Sequence, residues 1–300
     1  MSTSAGTRFH RDTIRACYGL FAVAAMPELP EVEVSRRGLL PYLPGQRILG
    51  AVLRTPKLRH ALPTHLPARI AGLRLEAIVR RGKYLLFDCE SGQDGGWLVL
   101  HLGMSGSLRL VPPGTPPQKH DHVDLVFADT VLRLRDPRRF GTVLWHEGGN
   151  IETHPLLAGL GIEPLTDGFD GDWLFAATRL RSGPIKPVLM DHRLIVGIGN
   201  IYAAESLFRA GISPLRPANR ISCERYRHLA PAIRATLADS IAAGGSSVRD
   251  YVHSDGGAGC FQISCAVYDR AGAPCPHCGQ PIRWIRQAGR STFYCPRCQR

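Results

Sequence analysis

No stretch of the 300 residues approaches the ~20 consecutive apolar positions that a bilayer-spanning helix needs, so a helical membrane protein is excluded. No internal repeat is visible. The nine cysteines lack the spacing of a disulfide framework: the count is odd, and Cys17, Cys89, Cys223, Cys260 and Cys265 are scattered. Acidic residues are in the minority, 25 Asp+Glu against 37 Lys+Arg, giving a net charge of +12 and a pI near 9.6. That balance favours polyanions such as nucleic acid or an anionic membrane surface, but many basic proteins bind nothing acidic and charge alone decides little. Glu is absent from residues 1–25, which carry Ser, Thr and Arg and end in a short apolar run. Translation is expected to begin at Met26 rather than at Met1, with a removed targeting peptide as the alternative. Trimming Met26 would leave Pro27 with a free secondary amine, whereas inside a longer chain its nitrogen is an unreactive amide.

What is present divides into four parts: an extension (1–25), an N-terminal unit (26–150), a helical unit (151–265) and a C-terminal module (266–300). A helix is expected just after Pro27, because proline suits a first turn and Glu28, Glu31 and Glu33 suit its positive end. Short apolar runs such as "RILGAVLR", "GKYLLFDC", "WLVLHLGM" and the alternating "DHVDLVF" then follow between turn residues, the pattern of an antiparallel sandwich or barrel. From about residue 150, "IETHPLLAGLGIEPL" reads as a hinge. "DWLFAATRLRS", "IGNIYAAESLFRAG" and "SCERYRHLAPAIRATLADSIAAGG" read as helices with glycine stops. Residues 244–265 are a Gly/Ser-rich stretch longer than an ordinary connection.

Cys275-x2-Cys278, sixteen residues, then Cys295-x2-Cys298 is a four-thiolate zinc pattern. With every position of a tetrahedron filled by protein, the expected ion is structural, and His277 is a bystander. Residues 266–300 hold six Arg, no Lys and one Asp, a net charge of +5. Arginines beside aromatics on a rigid hairpin suit phosphate binding, the alternative being a solvated basic tail.

"MPELPEVEVSRRG", "RRGKYLLF", "HLGMSGSLR", "KHDHVDL", "DPRRFG", "IKPVLMD", "VGIGNIYAAESLFRAGISP" and the terminal "GRSTFYCPRCQ" occur in this order. Together they resemble the bacterial formamidopyrimidine-DNA glycosylases, from Met26 to Arg300. The resemblance implies an α+β chain: an N-terminal antiparallel β-sandwich with a leading helix, a helix–two-turns–helix domain and a zinc-finger hairpin. It implies a bifunctional glycosylase and AP lyase acting on oxidised purines in duplex DNA, with one Zn2+, no organic cofactor and no membrane partner. A monomer in the bacterial cytoplasm, associated with the nucleoid, is expected; organelle targeting by residues 1–25 is the weaker alternative.

Carried onto this chain, Pro27 is the amine nucleophile, Glu28 the acid/base of base release, Lys83 the residue of β-elimination and Arg290 the δ-elimination position. Arg290 is read physically as a phosphate clamp, because a guanidinium does not readily give up a proton. Met104, Arg138 and Phe140 would fill the gap left by an extruded base. Core packing is the plainer role for Met104 and Phe140, and a salt bridge to Asp136 for Arg138. His101, His120, Arg181, Lys186 and Asn200 are expected at phosphates. Gly197 and Gly199 allow tight turns before a helix whose N-terminus is read as a phosphate seat. The loop from Ser254 to Phe261, "SDGGAGCF", departs from the family's "SDGKPGYF", with Gly257 for Lys and Cys260 for Tyr, which implies altered discrimination among damaged bases. The rival readings are an endonuclease VIII-type enzyme for oxidised pyrimidines and, should residues 1–25 persist, a non-catalytic DNA-binding protein.

Overall fold

The computed structural model describes residues 27–90, 95–245 and 265–300. Residues 1–25, Met26 and the Ser254–Phe261 loop lie outside the described residues. Helix α1 runs Leu29–Leu39, two residues later than Pro27 alone suggests, because Glu28 is its N-cap. The Glu31 carboxylate accepts the Glu28 amide at 2.8 Å, half of a capping box, and Arg36 and Arg37 sit at the negative end.

Eight strands follow: β1 (Gly50–Leu53), β2 (Leu75–Arg81), β3 (Tyr84–Cys89), β4 (Gly96–His101), β5 (Ser107–Val111), β6 (Asp121–Val126), β7 (Val131–Arg135) and β8 (Thr142–Glu147), with a one-turn helix α2 (Leu66–Ile70) after β1. They form two antiparallel four-stranded sheets, ordered β1-β6-β7-β5 and β2-β3-β4-β8. The inward residues are those that alternation singles out: Leu85 and Phe87 of β3 and Leu98 and Leu100 of β4 meet Val123, Leu125, Leu132 and Leu134 of β6 and β7. The other face of β3 and β4 is covered too. Leu86 and Val99 pack under Ile151 and Leu157 of the segment after β8, which is why "YLLF" reads as a continuous apolar run.

The helical part consists of α3 (Gly171–Thr178), α4 (Ile185–Leu189), α5 (Asn200–Arg209) and α6 (Cys223–Ala242). Asp170 caps α3 by accepting the Trp173 amide at 2.7 Å, and Ser222 caps α6. Strands β9 (Arg283–Gln287) and β10 (Arg290–Tyr294) make the terminal hairpin. Its two-residue turn, Ala288–Gly289, has both φ positive, at 46° and 75°. The hairpin's Phe293 and Ile282 pack on Ala204 and Phe208 of α5.

Helix α1 joins the two main parts. Its Val32 and Leu39 belong to the sandwich core, while Leu29 and Val34 are buried among Leu189, Ile198, Ile201 and Tyr202 of the helical core. Among the described residues, no helix is long and apolar enough to cross a membrane.

Candidate active site

The start of α1 is seated on the turn that precedes α5. The Leu29 amide donates to the Gly197 carbonyl at 3.0 Å, and Gly197 is left-handed at φ +81°. A β-carbon there would lie 2.6 Å from Leu29 Cβ, so both the conformation and the close approach require glycine. At Gly199 a β-carbon would lie 2.2 Å from the Glu28 carboxyl carbon. The two glycines of "VGIGN" are thus the bed on which Pro27, Glu28 and Leu29 lie, and Pro27 itself is buried.

Glu28 is 2% exposed. Its Oε1 accepts the Ile201 amide at 3.2 Å, and its Oε2 is buried without a hydrogen-bond partner. Burial pushes the carboxyl from 4.5 up to about 7, with Lys83 pulling the other way and Glu31 adding to the rise. A group poised there can carry a proton in either direction near neutrality. The N-terminus of α5, expected to seat a phosphate, here receives the Glu28 carboxylate instead. Behind it, Glu31 also accepts the Tyr202 hydroxyl at 2.6 Å, and that hydroxyl lies 2.6 Å from Ser240 Oγ.

Beside this pair a cleft of ≈ 590 Å³ separates the sandwich from the helical part. Lys83, His101 and Arg290 line it from three different elements, together with Arg59, Arg193 and Gly197. His101 Nδ1 accepts the Gly103 amide at 2.9 Å, so the remaining proton sits on Nε2. Burial, then Lys83 and Arg59, push this imidazole down to about 4 and keep it a neutral donor. Arg290 is exposed on the hairpin at the first position of β10.

Met104, Arg138 and Phe140 come from two loops that the structure welds together. Buried Asp136 accepts the Ser105 hydroxyl at 2.6 Å and the Gly141 amide at 2.7 Å, and Ser105 Oγ in turn accepts the Arg138 amide at 3.1 Å. Left-handed Gly103 (φ +66°) lies so close to Phe140 that a β-carbon would meet its carbonyl carbon at 2.4 Å. The Asp136 oxygens are therefore engaged within the loops, and the salt bridge weighed for Arg138 does not form. Its guanidinium instead lies over the Phe140 ring at 4.8 Å. Phe140 is 42% exposed and Met104 half-buried. His120, in a left-handed conformation at φ 77°, adjoins this cluster through its carbonyl, which accepts the Asp136 amide at 3.0 Å.

Of the remaining residues expected at phosphates, Arg181 is exposed and pairs with Asp191 at 3.1 Å. Lys186 departs from its expected role. It is 1% exposed, and its ammonium donates to Asn200 Oδ1 at 2.6 Å, Ser291 O at 2.8 Å and Thr292 Oγ1 at 2.8 Å. Three acceptors meet three protons, leaving none for a phosphate. Burial lowers it to about 8, against the attraction of Glu28. Lys186 ties α4, α5 and β10 together, and the Asn200 side chain also hydrogen-bonds the Tyr268 hydroxyl.

The four cysteine sulfurs lie within 4.8 Å of one another. Sγ of Cys275 is 3.8 Å from that of Cys298, and Sγ of Cys278 is 3.5 Å from that of Cys295. A tetrahedron with Zn–S bonds of ~2.3 Å has edges of about 3.8 Å, so the donor set fits one zinc ion. His277 stands outside it, its ring 4.7 Å from that of Phe208.

Family models match three successive segments: the formamidopyrimidine-DNA glycosylase N-terminal domain over residues 26–143, the formamidopyrimidine-DNA glycosylase H2TH domain over 160–252, and the zinc finger found in FPG and IleRS over 272–300. The formamidopyrimidine-DNA glycosylase of Dechloromonas aromatica is 64% identical over 276 residues, covering 91% of this chain and 100% of its own. That of Ralstonia nicotianae is 55% identical, covering 92% and 100%. The chain belongs to the formamidopyrimidine-DNA glycosylase family. The crystal structure of MutM (Fpg) from Thermus thermophilus superposes with a TM-score of 0.80 at 42% identity, over 91% of this chain and 98% of that one. Lactococcus lactis Fpg in complex with abasic-site DNA gives 0.81 at 34% identity, over 91% and 99%.

Within this family member, sequence reasoning missed three residues that shape the site, Tyr202, Glu205 and Arg59, and gave Glu31 only a place at the helix start. Tyr202 and Glu31 back Glu28. Glu205 on α5 accepts the amides of Ala266, Val267 and Tyr268 at 2.8–3.0 Å and so anchors the entry to the finger. Arg59 faces His101 across the cleft. A buried acid inside "NIYAAES" is the one available signal, for Glu205; the others become visible only when distant segments meet.

Proposed function

We propose that this chain is a bifunctional DNA glycosylase and AP lyase of base-excision repair, acting on oxidised purines in duplex DNA. The carrying observation is the buried Glu28 carboxyl at about pH 7 with one unpartnered oxygen, next to Pro27 and beside the cleft of Lys83, His101 and Arg290. In a chain beginning at Pro27, the secondary amine has a pKa near 8, so a useful fraction is free base at neutral pH. Its nitrogen attacks the sugar C1′; the glycosidic bond breaks, its electron pair leaves with the base, and the amine's own proton passes to that departing base. Glu28 delivers a proton to the sugar oxygen as the ring opens, leaving an iminium that joins Pro27 to C1′. The iminium acidifies C2′. Removal of that proton, served by Lys83, expels the 3′ phosphate, and a second elimination expels the 5′ phosphate.

Met104, Arg138 and Phe140 fill the hole left by the extruded base, the exposed ring as wedge and the guanidinium toward the orphaned base. His101 through Nε2, His120, Arg181, Asn200 and Arg290 hold phosphates. Cys275, Cys278, Cys295 and Cys298 hold the zinc that shapes the Arg290 hairpin. Structures of MutM with carbocyclic 8-oxo-G DNA and of Lactococcus lactis Fpg with DNA containing an oxidised pyrimidine, each 35% identical to this chain, keep both base classes in view. Excision from duplexes bearing 8-oxoguanine or thymine glycol tests the reading. Faster release of 8-oxoguanine is expected; preference for thymine glycol would move the chain to the pyrimidine type, and no release of either would leave only a DNA-binding role.

A further inference from the structure

The turn that carries Lys83 is held from the opposite half of the molecule. Strand β2 ends at Arg81 and β3 begins at Tyr84, so Gly82 and Lys83 are the entire turn. The Gly82 amide donates to Glu163 Oε1 at 2.5 Å, and a β-carbon on Gly82 would lie 3.0 Å from Val196 Cβ. Arg80 and Arg81 converge on the same carboxylate, at 2.9 and 3.3 Å. Arg81 also donates to the carbonyls of Leu160 at 3.0 Å and Gly161 at 2.6 Å, and Arg80 reaches Glu33 of α1 at 3.1 Å. The side chains of Arg80 and Glu163 are only 11% and 15% exposed, so this is a largely dry junction rather than a surface ion pair.

Glu163 is itself fixed. Ile162 pairs with Ile195 in a parallel bridge: its amide donates to Leu194 O and its carbonyl accepts from Val196 N, each at 3.0 Å. Gly197, the next residue, carries the carbonyl that receives Leu29. One short frame, residues 161–163 against 194–199, therefore grips both the Lys83 turn and the Pro27–Glu28 pair.

We propose that Glu163 is the positioning residue that sets Lys83 against Pro27 and Glu28, so that elimination follows amine attack in the same site. This rests on the reading of Lys83 as the residue serving β-elimination. A carboxylate suits the task because its two oxygens must take three donors, Gly82 N–H, Arg80 and Arg81. Glutamine keeps one oxygen for Gly82 but turns an N–H2 toward an arginine. Lys83 acts after the Pro27 iminium has formed, so a shifted turn slows elimination and spares amine attack.

The test compares zinc-loaded protein beginning at Pro27 with Glu163→Ala, Glu163→Gln, Lys83→Ala and the Glu163→Ala/Lys83→Ala double variant. The substrate is a duplex with a preformed abasic site under single turnover, and borohydride trapping reads the iminium separately. Glu163→Ala is expected to slow strand cleavage roughly tenfold to a hundredfold, the scale of a small misplacement of a reacting group, while trapping keeps the parental rate. Glu163→Gln falls between, and the double variant is no slower than Lys83→Ala. Should Glu163→Ala fail to fold, the same comparison is made with Glu163→Gln. Parental cleavage in the Glu163 variants overturns the proposal, as does a parallel fall in trapping and cleavage, or a double variant whose losses multiply. Parental cleavage by Lys83→Ala would remove the underlying reading itself, and the proposal with it.

Discussion

Replacing Glu28 by Gln is expected to make the protein more stable above pH 7 while stopping base release. The carboxyl is 2% exposed and its pKa is pushed from 4.5 to about 7, chiefly by burial. Between those two values the native state holds a proton that the unfolded chain gives up. Stability of the parent therefore falls with rising pH across this window, by ~1.4 kcal/mol per pH unit, and levels off above pH 7. Over the full shift the difference comes to about 3 kcal/mol. Below pH 4.5 Glu28 is neutral in both states, and Gln is close to an isostere of the protonated acid, so the gap closes. Urea unfolding of zinc-loaded parent and Glu28→Gln between pH 5 and 8.5 reads the effect directly. The variant's advantage should be small at pH 5, grow toward pH 7 and then stay constant. In parallel, single-turnover excision should drop by two or more orders of magnitude, the ordinary scale for removing a positioned acid/base. A variant no more stable than the parent at pH 8, or an advantage that shrinks with rising pH, refutes the argument that burial holds this proton.

Gly199→Ala drives a methyl into the Glu28 carboxyl and is expected to cost about 1–3 kcal/mol and to depress base release, read by thermal unfolding and single-turnover excision. Phe140→Ala should leave stability within ~0.5 kcal/mol, because the ring is exposed, but weaken binding to lesion-bearing duplex over undamaged duplex, measured by fluorescence anisotropy. Lys186→Met strands three acceptors, Asn200 Oδ1, Ser291 O and Thr292 Oγ1, and should cost about 3 kcal/mol and speed amide exchange in β10. Zinc removal, or Cys275→Ser, should unfold the hairpin and weaken DNA binding; unchanged affinity after verified zinc loss would count against the finger as a phosphate-binding element.

What could be read before folding was what is local. The zinc ligands follow from two knuckles of fixed spacing, and the sandwich from period-two alternation in runs such as "DHVDLVF". Pro27 and Glu28 were visible because the motif is contiguous. What escaped depends on contacts across long separations. Lys186 looked like a free cation because Ser291 and Thr292, which take two of its protons, lie over a hundred residues away. The α5 N-terminus looked open because Glu28, which occupies it, comes 173 residues earlier. Glu33 illustrates the same limit. Burial works against its ionisation, but hydrogen bonds from neighbouring Arg36 and Arg37 outweigh that and hold its carboxyl at about 2. Those i+3 and i+4 partners are legible on a helix, whereas Arg80, which completes the junction to Glu163, is not.

The proposed chemistry stands on the ring nitrogen of Pro27 becoming covalently joined to deoxyribose. Borohydride reduction of the Pro27-initiated protein on an 8-oxoguanine duplex, followed by mass mapping of the cross-linked peptide, tests it most directly. A DNA adduct on the N-terminal proline peptide is expected, lost when residues 1–26 are retained ahead of it. An adduct on Lys83, or undiminished trapping by the chain that keeps those residues, would contradict it.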